Sequence, residues 1–318
     1  MLTDLGGNWV CWKLLPPTSE FSRKCVEMSE TENFLAQGFD EPNPVREPVR
    51  DVQAMPVPTA RVIGRVNWVG LKTLYVKEVR RFLKVYTQTI IAPAVTTLMF
   101  MTIFALALGG AIRMIGDVPF MTFLAPGLVM MAIVQNSFAN TTSTMMIGKV
   151  QGCIVDLLMP PLSASELTFA FAMGGVSRGV MVAVVTLAAM SVFVPLAVHS
   201  YVALIFYALA ASMMLSLMGL ITGIWADKFD SMAAVTNFVI MPLAFLSGTF
   251  YSVERLPEPW LTVSQLNPFF YMIDGFRYAF IGHADGSLLV GVSILLASNG
   301  LLWIIVHRML ANGYKLKE

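Results

Sequence analysis

Six long apolar stretches dominate the pattern of hydrophobic and polar positions along this chain. Each is long enough to cross about 30 Å of hydrocarbon as an α-helix. The predicted spans are residues 88–110, 120–146, 168–194, 200–225, 231–250 and 286–307. The pattern therefore predicts an all-α polytopic membrane protein with six transmembrane helices, in a domain that covers residues 88–310.

A different pattern precedes the first span, over residues 63–87. Apolar side chains recur there every three or four positions, and basic residues occupy much of the remainder. The predicted apolar face consists of Trp68, Leu71, Tyr75, Val79, Phe82 and Tyr86. A basic amphipathic helix of this kind is expected to lie in the lipid headgroup region. A helix packed as in a soluble protein is the alternative.

The first 62 residues contain closely spaced prolines between positions 42 and 58, which forbid regular structure. We therefore expect residues 1–62 to form a disordered cytosolic tail. Translation that starts at Met28 or Met55 is an alternative that would shorten this tail.

The distribution of lysine and arginine orients the six spans. Most of these residues precede the first span or follow it on the same side of the membrane, and the opposite side receives Arg113, Arg255 and Arg277. Cytoplasmic loops carry such an excess of positive charge. Both termini, including a short tail over residues 311–318, are therefore predicted to be cytoplasmic.

Composition narrows the classes of function. Of the 318 residues, 56% are hydrophobic and 13% are charged, compared with about 25% charged residues in average soluble domains. Much of this apolar surface must therefore face lipid. The net charge of +1 gives no reason to expect a nucleic-acid partner. The three cysteines form neither a disulfide framework nor a metal-ligand cluster, and we expect no metal site.

The loop between the second and third spans interrupts the apolar pattern. Residues 148–162 are predicted to form a short amphipathic helix that Pro160 and Pro161 end. Its apolar stripe consists of Ile147, Val150, Ile154, Leu157 and Leu158. Ser163 or Ser165 can cap the next span, with Glu166 near the helix N-terminus. The helix either completes a turn or presents its stripe to a partner.

Polar residues within the spans form the next group of candidates. Asn136, Asn140 and Thr144 lie four residues apart and form one strip, which either lines a wet path at the cytoplasmic entrance or bonds adjacent helices. Arg178 is predicted to extend to the cytoplasmic headgroups. Two pairs of glycines are predicted to form close-packing helix faces: Gly175 with Gly179, and Gly219 with Gly223.

The segment between the fifth and sixth spans, residues 251–285, is too apolar for an ordinary exposed loop. Asn267 and Pro268 predict an N-cap followed by proline at the first helical position. Asp274 and Arg277 lie three residues apart and are predicted to pair.

Three stretches resemble one family, the type-2 class of ABC exporter permeases, which includes drug and polysaccharide exporters. In the 148–162 loop and just after it, the matching residues are Lys149, Gly152, Ile154, Asp156, Leu158, Leu162, Ser163 and Glu166, with Pro161 beside Leu162. RRFLKVYTQTIIAPAVTTLMFMTIFALALGG (80–110) is similar to the family's entry into the first span. LSGTFYSVERLPEPWLTVSQLNPFFYMIDGFRYAF (246–280) is similar to its extracellular signature.

This resemblance implies the permease half of an exporter in the bacterial inner membrane, with no catalytic residue of its own. Two copies of a separate cytosolic ATPase, which bind ATP and Mg, would dock on a coupling helix over residues 148–162. The implied docking residues are Lys149, Gly152, Cys153, Ile154, Asp156, Leu157, Leu158, Pro161 and Glu166. The sequence agrees in that the pattern G-x-x-x-x-G-K-[ST] is absent: around Gly148 and Lys149, position 143 is serine and position 150 is valine.

The resemblance also implies a second permease chain, membrane lipids as partners and an amphiphilic or lipid-linked substrate. Residues 251–285 would form a re-entrant pair of helices that closes the exit, with Pro268, Asp274 and Arg277 as gate candidates; a helix packed on the ends of the spans is the alternative. Asn136, Asn140 and Thr144 are the candidates for the substrate path.

Two other classes of function remain as alternatives. A membrane-embedded enzyme acting on lipids or glycans would need clustered acids, bases or metal ligands at one depth, and the H-E-x-x-H pattern is absent. An ion-coupled carrier would need carboxylates inside the spans, whereas Asp and Glu occupy loops and span ends.

Overall fold

The computed structural model describes Gly64 and residues 66–108, 114–115, 118–152, 154–253 and 257–315, without the side chains of Leu157 and Leu158. The tail predicted over residues 1–62 lies outside these described residues. In chain order the helices are α1 (Trp68–Leu83), α2 (Ala92–Leu108, entered through a π-helical turn at Thr87–Ile91), α3 (Phe120–Val150), α4 (Ile154–Leu158), α5 (Ala164–Met190), α6 (Tyr201–Trp225), α7 (Phe229–Val235), α8 (Met241–Leu246, joined to α7 by a π-helical turn at Thr236–Ile240), α9 (Trp260–Leu266), α10 (Pro268–Ile281) and α11 (Leu288–Asn312).

Six of these helical stretches are long and apolar enough to cross a membrane, which confirms the predicted fold class. They are Thr87–Ala107, Phe120–Val150, Ala164–Met190, Tyr201–Trp225, Phe229–Leu246 and Leu288–Asn312. The second span is longer than the apolar pattern indicated, because α3 continues through its last polar turn to Val150. Similarly, α11 extends to Asn312, inside the stretch predicted as the start of a C-terminal tail.

A small β-hairpin between α2 and α3 was not predicted. Its strands, Met114–Ile115 and Val118–Pro119, pair antiparallel, with Met114 opposite Pro119. The hairpin is only two residue pairs long and leads directly into α3.

The centre of the bundle is α3. In its most apolar stretch 83% of the residues are buried, compared with 22% for the span that contains α2, 11% for the α7–α8 span and 17% for α11. The main apolar core lies where α3 meets α6 and α10. Three of the spans therefore present most of their apolar surface outward, as helices that contact lipid or another chain do.

Close approach of α3 to α5 and α6 depends on glycine. A Cβ atom on Gly179 would contact Ser137 of α3, and one on Gly219 would lie 2.6 Å from the carbonyl oxygen of Phe138. Gly175 and Gly223 are similarly crowded, by Ser216 and by Met145. The predicted close-packing glycine faces are confirmed, and both pack around α3.

Candidate functional site

The loop between α3 and α5 contains a shorter helix than predicted. After α3 ends at Val150, Gly152 adopts a left-handed backbone with φ +68°, which favours glycine. The chain then forms α4, a helix of five residues, Ile154–Leu158. Ile147 and Val150 therefore belong to α3, and the predicted stripe is divided between two helices.

Of the predicted apolar stripe, Ile147 and Val150 are exposed at the end of α3, and the loop exposes two further apolar residues that were not predicted. Ile154 is half-buried and packs against the core near α5, whereas Val155 and Met159 are 58% and 74% exposed. Their spacing of four places both on one side of a helical turn, a signal that the sequence contained. Gly152 and Asp156, two of the predicted docking residues, are also exposed. Cys153 and the side chains of Leu157 and Leu158 lie outside the described residues.

A capping box begins α5 directly after Pro160 and Pro161. The Ser163 backbone N–H donates to Glu166 Oε2 at 2.6 Å, and the Glu166 N–H donates to Ser163 Oγ at 3.3 Å. Of the two serines considered, Ser163 is thus the N-cap. The loop therefore leaves α4 through two prolines and enters α5 at a fixed, hydrogen-bonded turn.

The same turn holds the start of α1. The Asn67 N–H donates to Glu166 Oε1 at 2.6 Å, and Asn67 Nδ2 donates to the Pro161 carbonyl oxygen at 3.3 Å. We call Asn67, Pro161, Ser163 and Glu166 the α1 clamp. Both carboxylate oxygens of Glu166 accept hydrogen bonds within this clamp. Glu166 and Pro161 therefore stabilise the loop through hydrogen bonds to other residues of the chain.

Lys149 also acts within the chain. Its Nζ donates to the carbonyl oxygens of Ile224 and, at 3.0 Å, Ala226, at the C-terminal end of α6. These carbonyls have no partner within the helix, and a cation there interacts favourably with the helix dipole. Lys149 therefore ties the end of α3 to the end of α6.

A second lysine, Lys315, follows the last span and also binds at the C-terminal end of α6. Lys315 Nζ donates to the Trp225 carbonyl oxygen at 3.1 Å and to Asp227 Oδ2 at 2.9 Å. The hydrogen bond from Lys315 lowers the pKa of the Asp227 carboxyl, and the same bond raises the pKa of Lys315. The α6 end thus holds two lysines, one from α3 and one from the segment after α11.

The predicted polar strip on α3 joins a buried network with α1. Asn140 accepts Arg81 Nη2 at 3.1 Å through its side chain, and Thr144 Oγ1 donates to Glu78 Oε2 at 2.8 Å. Arg81 and Glu78 form an ion pair at 3.1 Å. We call Glu78, Arg81, Asn140 and Thr144 the α1–α3 network, and Asn140 is 0% exposed within it.

The buried face of α1 differs from the predicted apolar face. Leu74, Glu78 and Phe82 are buried, whereas Trp68 is 70% exposed. The periodicity identified a helix, but Glu78 was not among the residues of the predicted apolar face. Its carboxylate can be buried because Arg81 and Thr144 are supplied by the fold.

Arg178 is held by a side chain of α3, and its predicted extension to the cytoplasmic headgroups stays a prediction. Its Nη2 donates to Asn136 Oδ1 on α3 at 3.0 Å. Asn136, the first residue of the polar strip, also lines a groove of about 320 Å³ between the α2 span and α3. The groove is further lined by Gln88, Thr97, Phe100, Leu128 and Gln135. The strip therefore has one end in a groove and the other in the α1–α3 network.

Asp274 and Arg277 are both buried, but the predicted pair is absent. Asp274 accepts the N–H groups of Asp285 and Gly286, each at 2.9 Å. Arg277 donates to the Gly248 carbonyl oxygen at 2.6 Å, and its guanidinium lies 3.9 Å from the centre of the Phe123 ring. Backbone groups bind these two side chains in place of the i,i+3 partner. Asp274 therefore attaches the loop before α11 to α10, and Arg277 attaches the loop after α8.

The N-terminus of α10 matches its prediction. Pro268 occupies the first helical position, and the Asn267 side chain accepts the Phe269 N–H at 3.0 Å. Asn267 Nδ2 donates to the Leu243 carbonyl oxygen at 3.0 Å, which connects α10 to α8. The three gate candidates Pro268, Asp274 and Arg277 thus all lie on α10, and the contacts of this helix connect it to α8 and to the segments that follow α8 and precede α11.

Comparison with known proteins places these features in one family. The family model described as ABC-2 type transporter matches residues 69–281, from α1 through α10. The inner membrane transport permease YadH of Escherichia coli strain K12 is 35% identical over 251 residues, which cover 79% of this chain and 98% of that protein. The YadH proteins of Escherichia coli O157:H7 and Shigella flexneri match to the same extent. The chain therefore belongs to the ABC-2 type transporter family, as the resemblance of its three motifs implied.

Proposed function

We propose that this chain is the membrane-spanning subunit of an ATP-driven exporter in the bacterial inner membrane, with both termini in the cytoplasm. A separate cytosolic ATPase, bound in two copies, holds ATP and Mg and supplies the energy. Two permease chains together enclose the path of an amphiphilic or lipid-linked substrate. Family membership and the similarity to inner membrane transport permeases support this proposal.

The exposed surface of the α3–α5 loop carries the proposal. Val155 and Met159 are apolar and exposed at a point where the chain is held on both sides, by Gly152 before α4 and by the capping box after it. Exposed apolar groups on a rigid mount fit a hydrophobic groove of a partner protein. We assign the ATPase contact to α4 and to Met159, with Asp156 beside them.

The α1 clamp gives a route from that contact into the bundle. Displacement of α4 acts on α5 through the capping box and on α1 through Asn67. α1 in turn bonds to the C-terminal half of α3 through the α1–α3 network. ATP binding in the partner would therefore shift α1, α3 and α5 together, because packed helices move as rigid elements rather than deform continuously.

Exposure of the spans supports a second permease chain. The α2 and α7–α8 spans are the first and fifth along the chain, and few of their residues are buried. The groove between α2 and α3 carries Gln88 and Gln135, which are unfavourable next to hydrocarbon. A second copy placed against α2 and α7–α8 would cover these spans and enclose the groove as a path.

Co-purification tests the proposal. The full-length chain is expressed with the ATPase subunit, and the double variant Val155→Asp, Met159→Asp is compared with Tyr314→Asp, which changes a 48% exposed aromatic residue just after α11. We expect the double variant to lose bound ATPase and Tyr314→Asp to retain it. Unchanged ATPase binding by the double variant would reject α4 as the contact.

A further inference from the structure

Arg178 is half-buried in the bundle, and its charge has no counter-charge among the residues that the structure describes. It lies fourteen residues into α5, about 21 Å along the helix from Ala164. Among the described residues no carboxylate lies within ion-pair distance of it, and the charged group that acts on it is Arg81, of the same sign. Arginines at such depth in membrane proteins face a partner or a water-filled cavity.

The hydrogen-bonding capacity of Arg178 is largely unused. One bond joins Nη2 to Asn136, and the buried Nε has no partner. A guanidinium offers five N–H donors in a planar fork that matches a carboxylate or phosphate group. The free donors and the unpaired charge thus favour the same kind of ligand, an anion.

The groove lined by Asn136, the hydrogen-bond partner of Arg178, is graded in polarity along its length. Because the α2 span and α3 run antiparallel, Gln88 lies at the same end as Asn136, and Phe100 lies toward Leu128. The first end carries amide groups, and the second is apolar. Asn136, in the wall of the polar end, is the residue that bonds to Arg178. A charged headgroup at the polar end and a hydrocarbon chain at the other would match this grading.

We propose that this groove binds an amphiphile whose headgroup is an anionic phosphate or carboxylate, and that Arg178 and Asn136 recognise the headgroup. The hydrocarbon part lies along Phe100 and Leu128. This inference rests on the proposed function, because it specifies the substrate class of the proposed path. A neutral or cationic amphiphile would leave the arginine uncompensated in a low-dielectric site.

Binding to the full-length chain in phosphatidylcholine nanodiscs tests the inference without any ATPase. The probes are radiolabelled dodecyl phosphate and its uncharged counterpart dodecyl maltoside. We expect dodecyl phosphate to bind at least roughly 10-fold more tightly, the factor expected from one charge-assisted hydrogen bond. Equal binding of the two probes by the native chain would overturn the proposal.

Variants then test whether Arg178 is responsible. Arg178→Gln should abolish the preference for dodecyl phosphate, and Arg178→Lys should retain part of it. Asn136→Asp, which keeps the arginine but supplies an internal carboxylate beside it, should also abolish the preference; this variant remains informative if Arg178→Gln fails to fold. The matched control is Arg80→Gln, which removes an exposed arginine on α1. An equal loss of preference in Arg80→Gln would show that net charge alone attracts the probe.

A competition experiment separates a transported amphiphile from the lipid of the surrounding leaflet. The nanodiscs are prepared with phosphatidylglycerol in excess over dodecyl phosphate. Retained binding of the probe supports a selective site, whereas complete displacement identifies leaflet lipid as the occupant and overturns the substrate assignment. Failure of the full-length chain to bind any ATPase would reject the proposed function and leave these binding results unaffected, so the two failures are distinguishable.

Discussion

The ion pair between Glu78 and Arg81 gives a quantitative test of how α1 is attached to the bundle. The two residues share a 3.1 Å contact but differ in exposure: the Glu78 side chain is 1% exposed and the Arg81 side chain is 29% exposed. Truncating each residue to alanine in turn should therefore have unequal effects. We predict that Arg81→Ala destabilises the protein more than Glu78→Ala does.

The magnitudes follow from what each variant leaves behind. Arg81→Ala leaves a buried carboxylate with only the Thr144 hydroxyl, and removing one partner of a buried pair costs about 3–5 kcal/mol. Glu78→Ala leaves Arg81 with bonds to Ser143 at 3.3 Å and to the Asn140 carbonyl and side-chain oxygens at 2.9 and 3.1 Å. Arg81 also reaches solvent, so we expect a cost of about 1–2 kcal/mol for Glu78→Ala.

The assay is thermal unfolding of the purified full-length chain in detergent micelles. At about 2–4 °C per kcal/mol for a chain of this size, Arg81→Ala should lower Tm by roughly 6–20 °C and Glu78→Ala by roughly 2–8 °C. The double variant should cost less than the sum of the two. Lys77→Ala, an exposed neighbour, serves as control. Additive effects, or a larger cost for Glu78→Ala, would refute the network as described.

Three further predictions concern other contacts. Gly219→Ala should destabilise the α3–α6 contact by about 1–3 kcal/mol, whereas Gly300→Ala, where a Cβ would meet open space, should be neutral by thermal unfolding. Glu166→Ala should lower stability by about 1 kcal/mol and increase hydrogen exchange at the start of α1, and Ser165→Ala should do neither. Because Lys315 lowers the pKa of Asp227, their contact is fully formed above the ordinary aspartate pKa and is lost as pH falls through the lower folded value. Asp227→Asn should therefore reduce exchange protection at the end of α11 at pH 7, and the difference from the native chain should shrink as pH is lowered below the ordinary aspartate pKa.

The spans could be predicted because each is determined locally. In hydrocarbon every backbone polar group must be satisfied within its own helix, so a long apolar run is sufficient evidence for a span. The glycine faces of α5 and α6 were readable for a similar reason, since only a helix that another helix approaches closely needs Gly179 or Gly219. In each of these cases the information lies within about 25 residues of sequence.

The partners of single polar side chains could not be predicted in this way. Lys149 bonds to carbonyls that lie 75 and 77 positions later in the chain. Arg277 bonds to a backbone oxygen 29 positions earlier rather than to Asp274. Charge and helical spacing limit which neighbours on the same helix are near, but backbone groups of other elements compete for the same donors. Only the fold determines which of them lie within reach.

This difference changes the interpretation of the loop motif itself. Of the residues that carry the family resemblance in residues 148–166, Lys149 holds α6, Gly152 turns the chain, and Ser163 and Glu166 form the capping box and the α1 clamp. Val155 and Met159, which are 58% and 74% exposed, lie outside the motif. These motif residues thus fix the chain on either side of α4, whereas Val155 and Met159, which we propose as the ATPase contact, lie between motif positions. A shared mount with a variable contact surface would let related permeases dock different ATPases with the same mechanics. Exchanging Val155 and Met159 between permeases should accordingly change which ATPase binds, while replacing Lys149 or Glu166 by alanine should impair binding of every ATPase.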